Sequence, residues 1–319
     1  MGQAPICTGA SEALVVDFGD ARRAMQTLVT GLIELGNAAC RLVLDPDRGG
    51  SIVAFEWNGN AVMRQACGPG VLDAACFPLV PFSNRIAQGR FTFEGKEITI
   101  APNFPGTGNQ PHPMHGFGWL ANWTVAQSAP DRAVLAHEYD GGEWPGPYHA
   151  EQVFTLLPQG LEVELAVTAL GNDPMPAGLG FHPYFPRDAD TVYHGLHRGE
   201  WQTGNDGLPR SLLLKDRAVD WWHGQPVGGR TVDMVYTMRE GMLRISWPSR
   251  GMAVTIDPDP LLSCTTVYVP EGETFFCVEP VSHRTDAINA RGLDRMRVLQ
   301  PGETLKAGMR LRIQPLAAS

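Results

Sequence analysis

The chain has 319 residues and a formal net charge of −9, from 25 Lys and Arg against 34 Asp and Glu. Hydrophobic residues make up 43% and charged residues 18%, a balance that buries a large core and excludes a disordered chain. No Lys/Arg-rich run offers phosphates a basic surface, which argues against nucleic acid, and no apolar run approaches the ~18 residues that span a bilayer.

Residues 1–30 read differently from the rest: a short helix is expected around Asp20–Thr27 and little else, so the segment stands as an N-terminal extension before one domain over 31–319. It lacks a basic stretch followed by an apolar core, so no secretory signal is expected and the location reads as cytoplasmic. The cysteines Cys7, Cys40, Cys67, Cys76, Cys264 and Cys277 form no C-x-x-C pair and read as reduced thiols, several of them buried.

From Leu32 onward the pattern is strand, turn, strand. Phe91–Phe93 and Lys96–Ile100 flank Glu94-Gly95 and predict a hairpin. A turn at Leu157–Gly160 leads into Leu161–Val167, where Leu161, Val163, Leu165 and Val167 share one face. Met242–Trp247 and Ala253–Ile256 flank a turn at Ser249–Gly251. The 36 Gly and 26 Pro suit a turn-rich chain. Short, evenly spaced strands with neither a long amphipathic helix nor strand–helix alternation predict an all-β fold, a single large antiparallel β-sandwich or barrel.

Four polar segments interrupt the strands. The first, Pro81–Ile86, carries Asn84 and Arg85; an Arg offers a planar set of donors to hydroxyl or carboxylate oxygens, and equally closes a surface turn. The second carries His112, His115, Gly116 and Trp119. Its H-x-x-H spacing invites zinc, but Pro113 and Gly116 oppose the helix that the zinc motif uses. A polar His beside Trp119 suits a sugar better, since aromatic faces pack on the apolar side of sugar rings; a core Trp is the plainer alternative.

The third segment sets His182 between aromatic residues, where an imidazole that titrates near neutrality can give or take a proton, unless it is simply a satisfied core histidine. In the fourth, Glu279 ends the apolar run Thr274–Val278; a carboxylate buried there would have its pKa raised toward the range of a general base. His194 and His197 form another H-x-x-H that reads as surface. No G-x-S-x-G elbow, P-loop or dinucleotide fingerprint is present, which argues against hydrolases of that type, NTPases and nicotinamide-dependent oxidoreductases.

In this order, Asn84-Arg85-Ile86, His115-Gly116, His182-Pro183-Tyr184-Phe185 and Glu279-Pro280 resemble the aldose 1-epimerase family. The resemblance runs over roughly residues 32–315, with Gly49-Gly50 and Trp57-Asn58-Gly59 similar to the family's first strands. It implies a β-supersandwich of the galactose-mutarotase type and interconversion of the α and β anomers of a free aldose. It makes His182 the general acid at the ring oxygen and Glu279 the general base at the anomeric hydroxyl. It gives Asn84, Arg85 and His115 to the sugar hydroxyls, with Asp233 the positional candidate for the family's sugar-binding Asp.

Both proton transfers occur at oxygen, so neither a cofactor nor a metal is expected. The expected partner is a small monosaccharide, with no nucleic acid or membrane, and the chain is expected to be a monomer or homodimer. The departures are Phe181 and Pro183 around the catalytic His, where the familiar pattern has Asn and Ser. Rival readings are a hexose-6-phosphate 1-epimerase, which would draw on Arg90, Arg187 or Arg284, a non-catalytic sugar-binding sandwich, and a metal enzyme using His112 and His115.

Overall fold

The computed structural model describes residues 31–106 and 110–316; the expected helix at Asp20–Thr27 lies outside them. Among the described residues there are strands and short 3₁₀ turns and no α-helix, and no helix long and apolar enough to cross a membrane. The architecture is the antiparallel β-sandwich expected from the strand spacing. A four-stranded sheet runs from Ile33–Gly36 through Cys40–Asp45 and Ser51–Trp57 to Asn60–Ala61, and a 14-stranded sheet takes up most of the rest. Leu35, Leu42, Leu44 and Phe55 of the smaller sheet share one buried cluster with Leu161, Val163, Leu165 and Val167 of the larger. Strict alternation along Gly160–Ala169 sends those four inward, while Glu162, Glu164 and Thr168 stay partly exposed.

The expected hairpin forms as Arg90–Phe93 against Lys96–Thr99. Glu94 (φ 49°) and Gly95 (φ 73°) both adopt the positive φ that a tight two-residue turn demands. Met242–Trp247 is the end of a longer strand, Val232–Trp247, and pairs with Met252–Pro258 across the turn that Gly251 (φ 63°) closes.

Three neighbouring strands form the floor of the cleft described below. Val232–Trp247 pairs with Cys264–Val269, which pairs with Phe275–Val281. Phe275–Val281 then meets two short strands, Gly180–Phe181 and Tyr184–Pro186. Gly180 lies opposite Val281 and Tyr184 opposite Cys277. That register sets His182 opposite Glu279. Pro183 has no N–H to donate, so the ladder breaks just there.

Candidate active site

The cleft has a volume of about 300 Å³ and is lined by Asn84, Arg85, His115, His182, Asp233 and Glu279 together with Gln110, Thr266 and the side chains of Phe104, Tyr184, Tyr268 and Phe275. All six residues singled out from the sequence thus converge on one concavity. Its size is at the low end of small-molecule pockets, which run from roughly 300 to 1,000 Å³.

His182 and Glu279 meet at the bottom. His182 Nε2 is 3.3 Å from Glu279 Oε1, with side-chain exposures of 10% and 3%. The apolar neighbours that made Glu279 conspicuous in the sequence do bury it, but it lies within its strand rather than at the end. The imidazole stacks against both Phe77 (centroids 4.5 Å apart) and Tyr184 (4.7 Å), whose own centroids are 6.0 Å apart. Arg64 stacks on Tyr184, 3.6 Å from the ring centroid, and lies 4.5 Å from that of Phe275.

Burial dominates the titration of both groups. It draws His182 down to about 3, helped by the charge of Arg64. It pushes Glu279 well above the usual carboxylate range; the charge of Asp233 adds to the rise and Arg85 opposes it. The favoured state is therefore a neutral pair, a carboxylic acid beside a neutral imidazole. That pair holds one mobile proton. It can deliver a proton to one oxygen of a ligand while taking another from a second oxygen.

The rim is built differently. Asn84 (φ 58°) and His115 (φ 61°) both sit in the left-handed region that side chains rarely adopt. Two loops must approach closely to hold them. Gly116 (φ 72°) permits this: a Cβ there would lie 2.1 Å from the Val80 carbonyl oxygen. Isolated bridges then tie Val80 to Gly116 and Arg85 to Met114.

Three buried histidines brace the first loop from behind. Asn84 N–H donates to His115 Nδ1 (3.2 Å), Gln88 N–H to His112 Nδ1 (3.0 Å) and Ser83 N–H to His283 Nε2 (3.2 Å). Each ring accepts, so each must be neutral, and burial lowers the pKa of all three, that of His283 to about 4. With Nδ1 accepting, the neutral His115 ring carries its proton on Nε2, which makes that nitrogen a hydrogen-bond donor.

Asn84 Oδ1 accepts from the Arg85 N–H (2.9 Å) and from Arg85 Nη1 (3.2 Å), which fixes the guanidinium. Arg85 Nη2 stands 3.6 Å from Asp233 Oδ2, and the Asp233 side chain remains 46% exposed.

Several expectations change. Trp119 is fully buried and donates its ring N–H to the Gly116 carbonyl (3.1 Å). It packs behind His115 rather than facing the cleft, and the aromatic lining comes instead from Phe104, Tyr184, Tyr268 and Phe275. His112 and His115 serve as acceptors for loop N–H groups, and no third ligand-type side chain joins them among the described residues.

His197, expected at the surface, is 1% exposed and its Nε2 faces Thr265 Oγ1 at 3.0 Å. Arg187 and Arg284 do not line the cleft: one donates to the Pro270 carbonyl, the other pairs with Asp294 and stacks on Trp201. Arg90 is exposed outside it. Thr266, opposite Glu279 in the register, escaped the sequence reading; its buried hydroxyl has no hydrogen-bond partner among the described residues. A Thr inside an apolar strand is ordinary, and only the pairing partner marks this one.

Comparison with known proteins agrees with this picture. The family model for aldose 1-epimerase matches residues 31–312. The uncharacterised YphB protein of Escherichia coli strain K12 is 31% identical over 284 residues, covering 84% of this chain and 94% of its own. A crystal structure of a candidate aldose 1-epimerase from Escherichia coli K12 superposes with a TM-score of 0.81 at 28% identity, covering 90% of this chain and 99% of its own. A galactose mutarotase-like protein from Clostridium acetobutylicum shares the fold at 16% identity, with a TM-score of 0.77 and coverage of 89% and 95%. A match over most of the chain, to the family whose motif residues meet in this cleft, identifies the chain as a member of the aldose 1-epimerase family.

Proposed function

We propose that the protein is an aldose 1-epimerase acting on a free monosaccharide in the cytoplasm, with residues 31–319 as the working domain. The observation that carries this reading is the buried pair of His182 and Glu279, 3.3 Å apart at the base of a sugar-sized cleft.

In the reactive tautomer the shared proton sits on His182. Glu279 takes the proton from the anomeric hydroxyl, and O1 becomes a carbonyl oxygen. The C1–O5 bond breaks, its electron pair stays on O5, and His182 protonates that oxygen. Rotation about C1–C2 presents the other face of the aldehyde, and the reverse steps close the opposite anomer. Ring opening leaves a protonated Glu279 beside a neutral His182, which is the state that burial favours. Each positioned proton transfer contributes about 10²–10⁴-fold, ample for a reaction that already proceeds slowly in water. Asn84, Arg85, His115 and Asp233 hold the remaining hydroxyls.

A free sugar is favoured over a sugar phosphate because Arg85 is the only Arg or Lys lining the cleft among the described residues, and it already faces Asp233. NMR or polarimetry of anomer exchange, over a panel of free and phosphorylated aldoses, tests the reading. Saturable acceleration on a free aldose that survives chelation is expected. Acceleration confined to phosphorylated sugars would move the assignment to a hexose-6-phosphate 1-epimerase. Binding without acceleration on any of them would leave a sugar-binding sandwich.

A further inference from the structure

Val192–Thr203 and Pro209–Asp220 form a hairpin at the margin of the large sheet, and the chain then turns through Trp221–Gln225. Among the described residues, two groups of metal-ligand-type side chains converge. In one, His182 and Glu279 line the cleft with Cys277 buried beside them; His194, Asp220 and His223 lie outside it, and the proposed reaction makes no use of them. We propose that His194, Asp220 and His223 form a binding site for a divalent transition-metal ion of the Zn²⁺ type.

The geometry of Asp220 carries the proposal. Its Oδ1 accepts the backbone N–H groups of Trp222 (3.0 Å) and His223 (3.1 Å). That fixes the turn and aims Oδ2 at both imidazoles, 2.9 Å from His194 Nδ1 and 3.7 Å from His223 Nδ1. An ordinary ion pair would satisfy the carboxylate with one histidine. Here a second ring shares the same oxygen at a distance too long for a hydrogen bond, and the two rings sit edge to face with centroids 5.4 Å apart.

The donor atoms of the three residues lie within 4.8 Å of one another. A tetrahedral Zn²⁺ with bonds of about 2.0–2.2 Å separates its ligand atoms by roughly 3.3–3.5 Å, so small side-chain rotations bring the set into place. The turn is anchored, because Trp222 is 1% exposed and Arg230 stacks on it at 4.5 Å. The mouth is open: the His223 side chain is 77% exposed and that of His194 34%, which gives an ion access and leaves positions for water. Two imidazoles and one carboxylate suit Zn²⁺, Ni²⁺ or Cu²⁺ over the all-oxygen preference of Mg²⁺ and Ca²⁺. Such an ion would join the start of one strand, the end of its partner and the turn after it, as a clip at the base of the hairpin.

The test is calorimetric titration of tag-free, metal-stripped full-length protein with ZnCl₂, paired with thermal melting with and without Zn²⁺. One equivalent should bind and raise Tm. Losing the partner of a metal ligand alone costs about 10–100-fold in affinity, so His223→Ala, which removes a ligand, should weaken binding at least that much and abolish the rise in Tm. Because that side chain is exposed, the metal-free melt of His223→Ala should match the parent. Asp220→Asn should also lose the site, while Cys277→Ser should keep it. No saturable binding, or parental binding by His223→Ala, would overturn the proposal. So would loss of the ion in Cys277→Ser with retention in His223→Ala, because that would place the metal in the cleft.

Discussion

The floor and the rim of the cleft are built on opposite principles. The floor, with His182, Thr266 and Glu279, is carried on paired or nearly paired strands, and those three residues are 8%, 3% and 2% exposed. Its groups are held by register and kept neutral by burial. The rim, with Asn84, Arg85 and His115, is carried on irregular loops that put Asn84 and His115 in left-handed conformations; it is braced by imidazole acceptors and faces the half-exposed Asp233. Strands set the His182–Glu279 pair with little freedom, and loops set side chains whose identity can change without moving that pair.

The largest expected effect tests the floor. Glu279→Gln keeps the shape but removes the base, and should lower kcat by about 10²–10⁴-fold with little change in sugar binding. His182→Asn should do the same, and the double variant should fall well short of the product, because acid and base serve one coordinated event. Near-normal turnover in Glu279→Gln would sink the division and point to Asp233 as the base.

Rim substitutions should give a different kinetic signature. Arg85→Ala should raise KM by about tenfold with a smaller loss in kcat, as expected for a group that positions substrate. Equal losses in kcat and kcat/KM would instead make Arg85 part of the proton-transfer machinery.

The pH profile sharpens the contrast further. The floor pair holds its single proton from about pH 3, where His182 would gain a second, to well above the ordinary carboxylate range. Steady-state kinetics should therefore show no loss of kcat/KM on acidification from neutrality through pH 6.5, where a lone exposed imidazole would gain its proton. A break at that pH would show that the two groups do not act as one unit.

The smallest effect is on stability, and its sign differs between the two regions. Glu279 binds its proton more tightly folded than unfolded, so its contribution is full below about pH 4.5 and falls as pH rises through the raised folded value. His283 behaves in the opposite sense: its contribution is full above about pH 6.5 and is lost as pH falls through about 4. Glu279→Gln should gain on the order of 1–3 kcal/mol over the parent at neutral pH, a gain that shrinks on acidification. Denaturant melts at several pH values measure both trends, and a gain independent of pH would rule out the protonation account.

The fold was largely legible because period-two alternation reports burial directly, as at Leu161, Val163, Leu165 and Val167, and because Glu94-Gly95 carries a turn geometry that few residue pairs can adopt. The candidate site was legible as residue types in order, through the resemblance of its four motifs. What misled the reading was context. Trp119 and His197 have polar edges, so nothing local says whether those edges meet solvent or a buried partner such as the Gly116 carbonyl or Thr265.

By itself, then, the sequence determined the strands, their inward faces and the turns, because each of these depends on neighbours within a few residues. Only the tertiary structure decided that His182 faces Glu279, that three imidazoles hold the Asn84 loop, and that His194 and Asp220 meet at the base of a hairpin. Those relations depend on which strand lies beside which and in what register. Register is fixed by the burial of whole faces against one another, not by any single residue.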